Sequence, residues 1–202
     1  MKLYYSPGAC SLAPHIALRE AGHDFELERV DIPNKKTASG DDYWEINPKG
    51  YVPALKLDDG DVLTEVGVIL QYIADQNQAA HLAPAIGTHD RYHLMEWLNF
   101  IATEVHKQIG ALFNPKMTQE MKAVQLGTIE RRMNALDKML AGKEYLMGDH
   151  YSVADAYLFT IMRWAEKLSI DIAKWPHVAA VNARVGARAK VIEAMTAEGL
   201  VK

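Results

Sequence analysis

The chain changes its hydrophobic rhythm near residue 80. Before that point short apolar runs alternate with one-sided helical patterns, and beyond it every patterned segment has the spacing of an amphipathic helix. Lys2–Ser6 and Phe25–Asp31 read as strands flanking a helix from Ser11 to Ala21, which Gly22 is placed to stop. Two parallel strands joined by a helix form a right-handed βαβ unit. A basic polar loop follows (Asn34-Lys35-Lys36-Thr37), then a short helical piece over Asp41–Ile46. Val52–Leu57 and Val62–Thr64 bracket Asp58-Asp59-Gly60, a hairpin signal, and helical spacing resumes from Glu65 to Asp75. The expected order is β-α-β-α-β-β-α, a small mixed sheet covered by helices.

Residues 76–88 form a polar stretch containing Ala, Pro and Gly that reads as a linker. Helices are expected over 89–112, 118–140, 152–168 and 176–198. The division is therefore an α/β domain over 1–80 and an all-helical domain over 88–202, and ligand sites favour the seam between two domains. On the first long helix Leu94, Trp97, Leu98, Ile101 and Val105 make the core face. Asn99, Thr103 and His106 form a separate polar stripe, which is either a solvated face or the side of a site. Ser152 and Asp155 match a variant of the capping box, which gives Asp155 a helix-starting role.

Composition narrows the function classes. The 202 residues are 49% hydrophobic and 24% charged, with a net charge of −4, so neither nucleic acid nor an anionic membrane is an expected partner. One cysteine excludes an internal disulfide framework and a four-cysteine zinc site, and no histidine pair has metal-ligand spacing. No apolar run approaches the roughly 20 residues that span a bilayer. Met1–Tyr5 reads as a strand and not as the apolar stretch of a signal peptide, so the expected location is a reducing cytoplasm.

That one cysteine, Cys10, stands where the first strand hands over to the first helix. Backbone N–H groups at a helix start favour thiolate over thiol, but a contribution of about 0.3–2 kcal/mol lowers a pKa by at most roughly 1.5 units. A second donor or cation is needed for full activation. Cys10 is thus either a nucleophile with a partner elsewhere or a small buried hydrophobe. Pro53, after Tyr51-Val52, is either an ordinary strand-start proline or a cis residue that turns the Val52 backbone toward an extended peptide. Glu65 at a helix head is either a cap or a group that holds a ligand ammonium while backbone N–H groups hold its carboxylate. Lys35 and Lys36 are solvated loop charges or partners for a second carboxylate.

Five segments in order, KLYYSPGACSLAPHIALREAG at 2–22, NPKGYVPAL at 47–55, LTEVGVILQYIAD at 63–75, EWLNFIATEVHK at 96–107 and YSVADAYLF at 151–159, resemble the bacterial beta-class glutathione S-transferases. The resemblance implies a thioredoxin-like N-terminal domain, an all-helical C-terminal domain, and a cytoplasmic homodimer active in detoxification. Glutathione is the implied co-substrate, with no metal. It places Cys10 opposite the glutathione sulfur or joined to it, and His106 as the polar partner from the helical domain. It implies backbone pairing of Val52 with the cysteinyl part of glutathione, next to a cis-Pro53. Glu65 and the Val66 backbone hold the γ-glutamyl end, and Lys35 approaches the glycine carboxylate. Asn99, Thr103, Glu104 and Val105 complete the glutathione site, and Tyr5 and Ser11 supply hydroxyls near the sulfur.

Two departures matter. Val66-Gly67 stands where the family has a small Ser or Gly after the glutamate, which removes a hydroxyl contact and leaves the backbone one. Ala13 stands three residues after Cys10, so dithiol chemistry is excluded. The expected activity is attack of glutathione thiolate on an electrophile, with Cys10 able to form a mixed disulfide. The alternatives are mainly a thioltransferase or peroxidase, a reductive dehalogenase, or a non-catalytic carrier of hydrophobic molecules. The electrophile would meet side chains such as Ile109, Leu112, Phe113, Trp164 and Lys167.

Overall fold

A computed structural model describes residues 1–201. They form two compact units: Met1–Ala83 together with the segment from Ala187 onward, and Pro84–Gly186.

In the first unit, β1 (Lys2–Tyr5), α1 (Leu12–Glu20), β2 (Glu26–Asp31), β3 (Lys36–Thr37), α2 (Tyr43–Ile46), β4 (Ala54–Lys56), β5 (Val62–Thr64) and α3 (Val66–Gln76) follow in order. The sheet runs β3-β2-β1-β4-β5, with β1 and β2 parallel and the other pairs antiparallel. Leu3 on the central strand lies opposite Leu27 and Leu55. Both Leu3 and Leu55 are fully buried, as expected where helices cover the sheet. This is the thioredoxin-like domain implied by the resemblance. Gly22 ends α1 at φ +68°, with the His23 and Gly22 N–H groups donating to Leu18 and Arg19, a Schellman stop. Gly60, at φ +93°, closes the hairpin between β4 and β5.

The second unit carries α4 (His89–Phe100), α5 (Lys107–Ala111), α6 (Gln119–Leu140), α7 (Val153–Lys167) and α8 (Pro176–Gly186). Thr88 and Thr118 cap α4 and α6 by accepting from the N–H groups of Arg91 and Met121. Leu94, Leu98, Ile101, Val105 and Ile109 are buried on the expected core face, while Trp97 is half-buried at its edge.

The structure departs from the expected elements in three places. Lys36–Thr37, read as loop, is a two-residue strand that pairs with the end of β2, too short to leave a periodic signal. The helix expected over 89–112 is interrupted by a π-helical stretch at Ile101–His106. The helix expected over 176–198 is two helices, α8 and α9 (Ala189–Ala197), broken at Ala187-Arg188. Gly186 ends α8 where a Cβ would come within 3.1 Å of Phe159, so the chain packs tightly on α7 there and a side chain would require the ring to give by a few tenths of an ångström. After the break α9 packs on α1 and belongs to the first unit, not to the helical domain expected to run to 202. Arg188 anchors that return with two hydrogen bonds to Glu20, at 2.6 and 2.9 Å. Covered by α3, α9 and β1, α1 buries seven consecutive residues from Leu12 to Leu18.

Candidate active site

Sheet register gathers the chemistry of the first unit at one end. Tyr4 is opposite Ala54, and Ala54 is opposite Thr64. The end of β1 with the turn that carries Cys10, the start of β4 with Val52-Pro53, and the end of β5 with Glu65 therefore lie side by side.

Cys10 lies two residues before the start of α1, and its thiol donates to the Val52 carbonyl at 3.3 Å. The Val52–Pro53 bond is cis, and the Val52 side chain is buried with Tyr4, Val30, Tyr43 and Ala54. Ser11 is fully buried, and its hydroxyl is engaged with the Ser6 N–H and carbonyl. These bonds close the turn that carries Cys10. Tyr5 is half-buried 6.2 Å from the His15 ring, and burial pushes its phenol upward.

Glu65 makes no side-chain cap, which removes the capping reading. Its backbone has φ +72°, a conformation that disfavours any residue with a Cβ. The exposed carboxylate bonds to Lys49 at 2.8 Å, and Lys49 also bonds Thr64 at 2.9 Å. Val66 follows with its side chain buried, so the departure from Ser or Gly fills the core at the first turn of α3. Lys35, also left-handed at φ +54°, is no solvated loop charge. Its ammonium donates to the Gly50 carbonyl and lies 5.2 and 5.3 Å from the ring centres of Trp44 and Tyr51. Trp44 covers Gly50 so closely that a Cβ there would come within 2.5 Å of its ring.

In the helical unit the π turn separates the polar stripe. Closing i→i+5 bonds puts an extra residue in the turn, so an α-helical wheel misplaces the residues beyond it. Asn99 and Thr103 stay exposed, with the Thr103 hydroxyl donating to the Asn99 carbonyl. His106 turns inward: its Nδ1 is 2.7 Å from the Tyr157 hydroxyl, and Trp164 packs edge-on to its ring at 4.9 Å. Phe113 packs on Trp164 at 5.6 Å, so these two expected electrophile-side residues do come together. Ile109 is core and Lys167 is exposed. Glu104 is paired with Arg132 at 2.6 Å. Val105 is 1% exposed, so its side chain is core. A cavity of about 440 Å³, floored by Trp97, Phe100, Leu146 and Met147, lies on a different set of residues from the His106 cluster.

Tyr157, Lys49, Tyr43 and Asn47 were missed by sequence reasoning. The spacing of Tyr157 reads as helix core, and nothing local marks the other three. Among the described residues no group of three His, Cys, Asp or Glu is placed to hold a metal ion, and no helix is long and apolar enough to cross a membrane.

The five-stranded mixed sheet with its covering helices, followed by a helical unit, puts the chain in the thioredoxin-like two-domain class. Residues 8–76 match the N-terminal domain of glutathione S-transferase and residues 100–189 its C-terminal domain. Glutathione S-transferase GstA of Escherichia coli O157:H7 is 44% identical over 200 residues, spanning 99% of this chain and 100% of its own. A ternary complex of BphK, a bacterial GST, matches with TM-score 0.97 at 54% identity, over 99% of this chain and 100% of that one. A sphingomonad glutathione S-transferase complexed with glutathione matches with TM-score 0.96 at 48% identity, over 100% of both chains. The chain belongs to the glutathione S-transferase family, with bacterial beta-class enzymes among its structural neighbours.

Proposed function

We propose that this transferase binds glutathione along the Val52-Pro53 edge with the glutathione sulfur at Cys10. The observation that carries the reading is the Cys10 thiol resting on the carbonyl of the residue before a cis-proline, where an extended tripeptide can pair by backbone. Glu65 takes the γ-glutamyl ammonium, and the N–H groups at the head of α3, Val66 first, take its carboxylate. Lys35 keeps further N–H donors for the glycine carboxylate. The neighbour complexed with glutathione supports this choice of co-substrate.

Two reactions use the same site. In conjugation the glutathione thiolate attacks an electrophilic carbon and expels its leaving group. In exchange the Cys10 thiolate attacks a glutathione disulfide, forming a Cys10–glutathione disulfide and releasing one glutathione thiolate. His106 is the polar group the helical unit supplies. Asn99, Thr103 and Glu104 are glutathione contacts in a homodimer, and the enzyme works in a reducing cytoplasm.

Intact-mass measurement after incubation with oxidised glutathione tests the covalent step. A reductant-sensitive adduct is expected on the unaltered protein and not on Cys10→Ala. No adduct on the unaltered protein would remove Cys10 from the chemistry. Cys10→Ala should also lose reduction of mixed disulfides and keep aryl-halide conjugation, and loss of both would make Cys10 the group that activates glutathione.

A further inference from the structure

The carbonyl of Tyr51 accepts two hydrogen bonds from buried side chains, the Tyr43 hydroxyl at 2.9 Å and the Asn47 Nδ2 at 2.7 Å. Neither donor is a surface group: Tyr43 is fully buried and Asn47 is 2% exposed. Burial pushes the Tyr43 phenol up to about 12, so it stays a donor throughout the physiological range. Asn47 is itself fixed, because its Oδ1 accepts from the Lys49 N–H and its backbone carbonyl accepts from Gly50. Both lone pairs of one carbonyl are thus aimed into the unit by a one-turn helix and the residue that ends it.

The consequence lies on the other side of the same peptide group. The 51–52 bond is trans, so its N–H points opposite to its C=O. With the Tyr51 carbonyl drawn inward, the Val52 N–H is directed away from Tyr43 and Asn47. The Val52 side chain is buried and its own carbonyl already receives the Cys10 thiol, so the N–H is the polar group this residue has left to offer. We propose that Tyr43 and Asn47 are positioning residues for glutathione, holding the Tyr51 carbonyl so that the Val52 N–H meets the carbonyl of the glutathione cysteinyl residue. This rests on the binding mode under Proposed function. Neither residue touches the ligand.

The test is amide exchange and titration calorimetry with reduced glutathione on the full-length protein. Saturating glutathione should slow exchange of the Val52 amide at least tenfold. Tyr43→Phe keeps the ring against Tyr4 and deletes one donor. It should weaken glutathione binding about three- to tenfold, leave kcat at saturating glutathione within about twofold, and reduce the Val52 protection. Asn47→Ala should act in the same direction. A purely structural role would lower thermal stability without changing the protection of this one amide. Unchanged exchange at Val52 under saturating glutathione overturns the inference even if both variants fail to fold. Unchanged binding by a folded Tyr43→Phe overturns it as well. Absence of glutathione binding by the unaltered protein would instead bring down the functional reading, and this inference with it.

Discussion

His15 and Glu198 meet at 2.8 Å with neither side chain reached by solvent, and they tie α1 to the end of α9. Arg19 Nε donates to His15 Nε2 at 2.9 Å, so the shared proton sits on Nδ1 and points at the carboxylate. The second oxygen of Glu198 accepts the Gly8 N–H at 2.8 Å, two residues before Cys10. Glu198→Ala would remove the acceptor of the buried His15 Nδ1–H and of the part-buried Gly8 N–H, a loss of about 3 kcal/mol in all. Tm should fall by about 6–12 °C, at roughly 2–4 °C per kcal/mol for a chain of this size. Calorimetry showing a change below about 2 °C would contradict this account of how the C-terminal helix is held.

Glu65 holds a left-handed backbone that nothing in its side-chain bonding requires. Its ion pair with Lys49 joins two exposed groups and contributes at most about 1 kcal/mol. A conformation of this kind costs about 1–3 kcal/mol and persists where function uses the residue. Glu65→Gly should therefore match the parent in denaturant stability or exceed it by up to about 1 kcal/mol. Glutathione affinity should fall by about tenfold or more, because a charged partner of the ligand is gone. A glycine variant that loses stability and keeps its affinity would place Glu65 in the fold and outside the site.

The sequence carried the architecture well where periodicity or turn chemistry is local. Gly22, the Asp58-Asp59-Gly60 hairpin and the Ser152–Asp155 cap all act through neighbours within a few residues. It failed where the cause lies far along the chain. Glu198 has meaning through His15 and Gly8, and α9 leaves the helical pattern at Arg188 because Glu20 receives it. The π turn misled for a different reason. Asn99, Thr103 and His106 share a stripe on an α-helical wheel, and an extra residue per turn sends His106 inward to Tyr157. Within the site, Cys10, Val52 and Glu65 were legible as motifs. Tyr43 and Asn47, which orient the backbone next to them, were not, since a buried donor to a carbonyl leaves no pattern.

Tyr157 fixes the His106 ring with a 2.7 Å hydrogen bond and an edge-on contact at 5.7 Å. Tyr157→Phe retains the ring contact and removes the bond, leaving Nδ1 unanchored at about 1–2 kcal/mol. We expect kcat to fall about tenfold if all of that loss appears in the transition state. A kcat within about twofold of the parent would exclude Tyr157 from orienting His106.

Asp155 gives stability a pH dependence of its own. It is fully buried at the head of α7, accepting from the Leu146 N–H at 2.8 Å and from the Ser152 N–H and hydroxyl at 2.8 and 2.9 Å. Burial raises its carboxyl from 3.8 to about 6, outweighing the hydrogen bonds that pull it down. Between about pH 4 and pH 6 the folded chain therefore holds a proton that the unfolded chain has released. Stability from this group is full below about pH 4 and is lost as pH rises through 6, by an amount on the order of 3 kcal/mol. Asp155→Asn removes the titration and turns an amide N–H toward backbone donors, so it should be the less stable protein at low pH. The Tm gap between parent and variant should be widest near pH 4, narrow up to about pH 6, and stay level from there to pH 8. A gap that stays level across that window and changes only below about pH 4 would mean that the three donors, and not burial, set the protonation of Asp155, and that the head of α7 is built around a carboxylate.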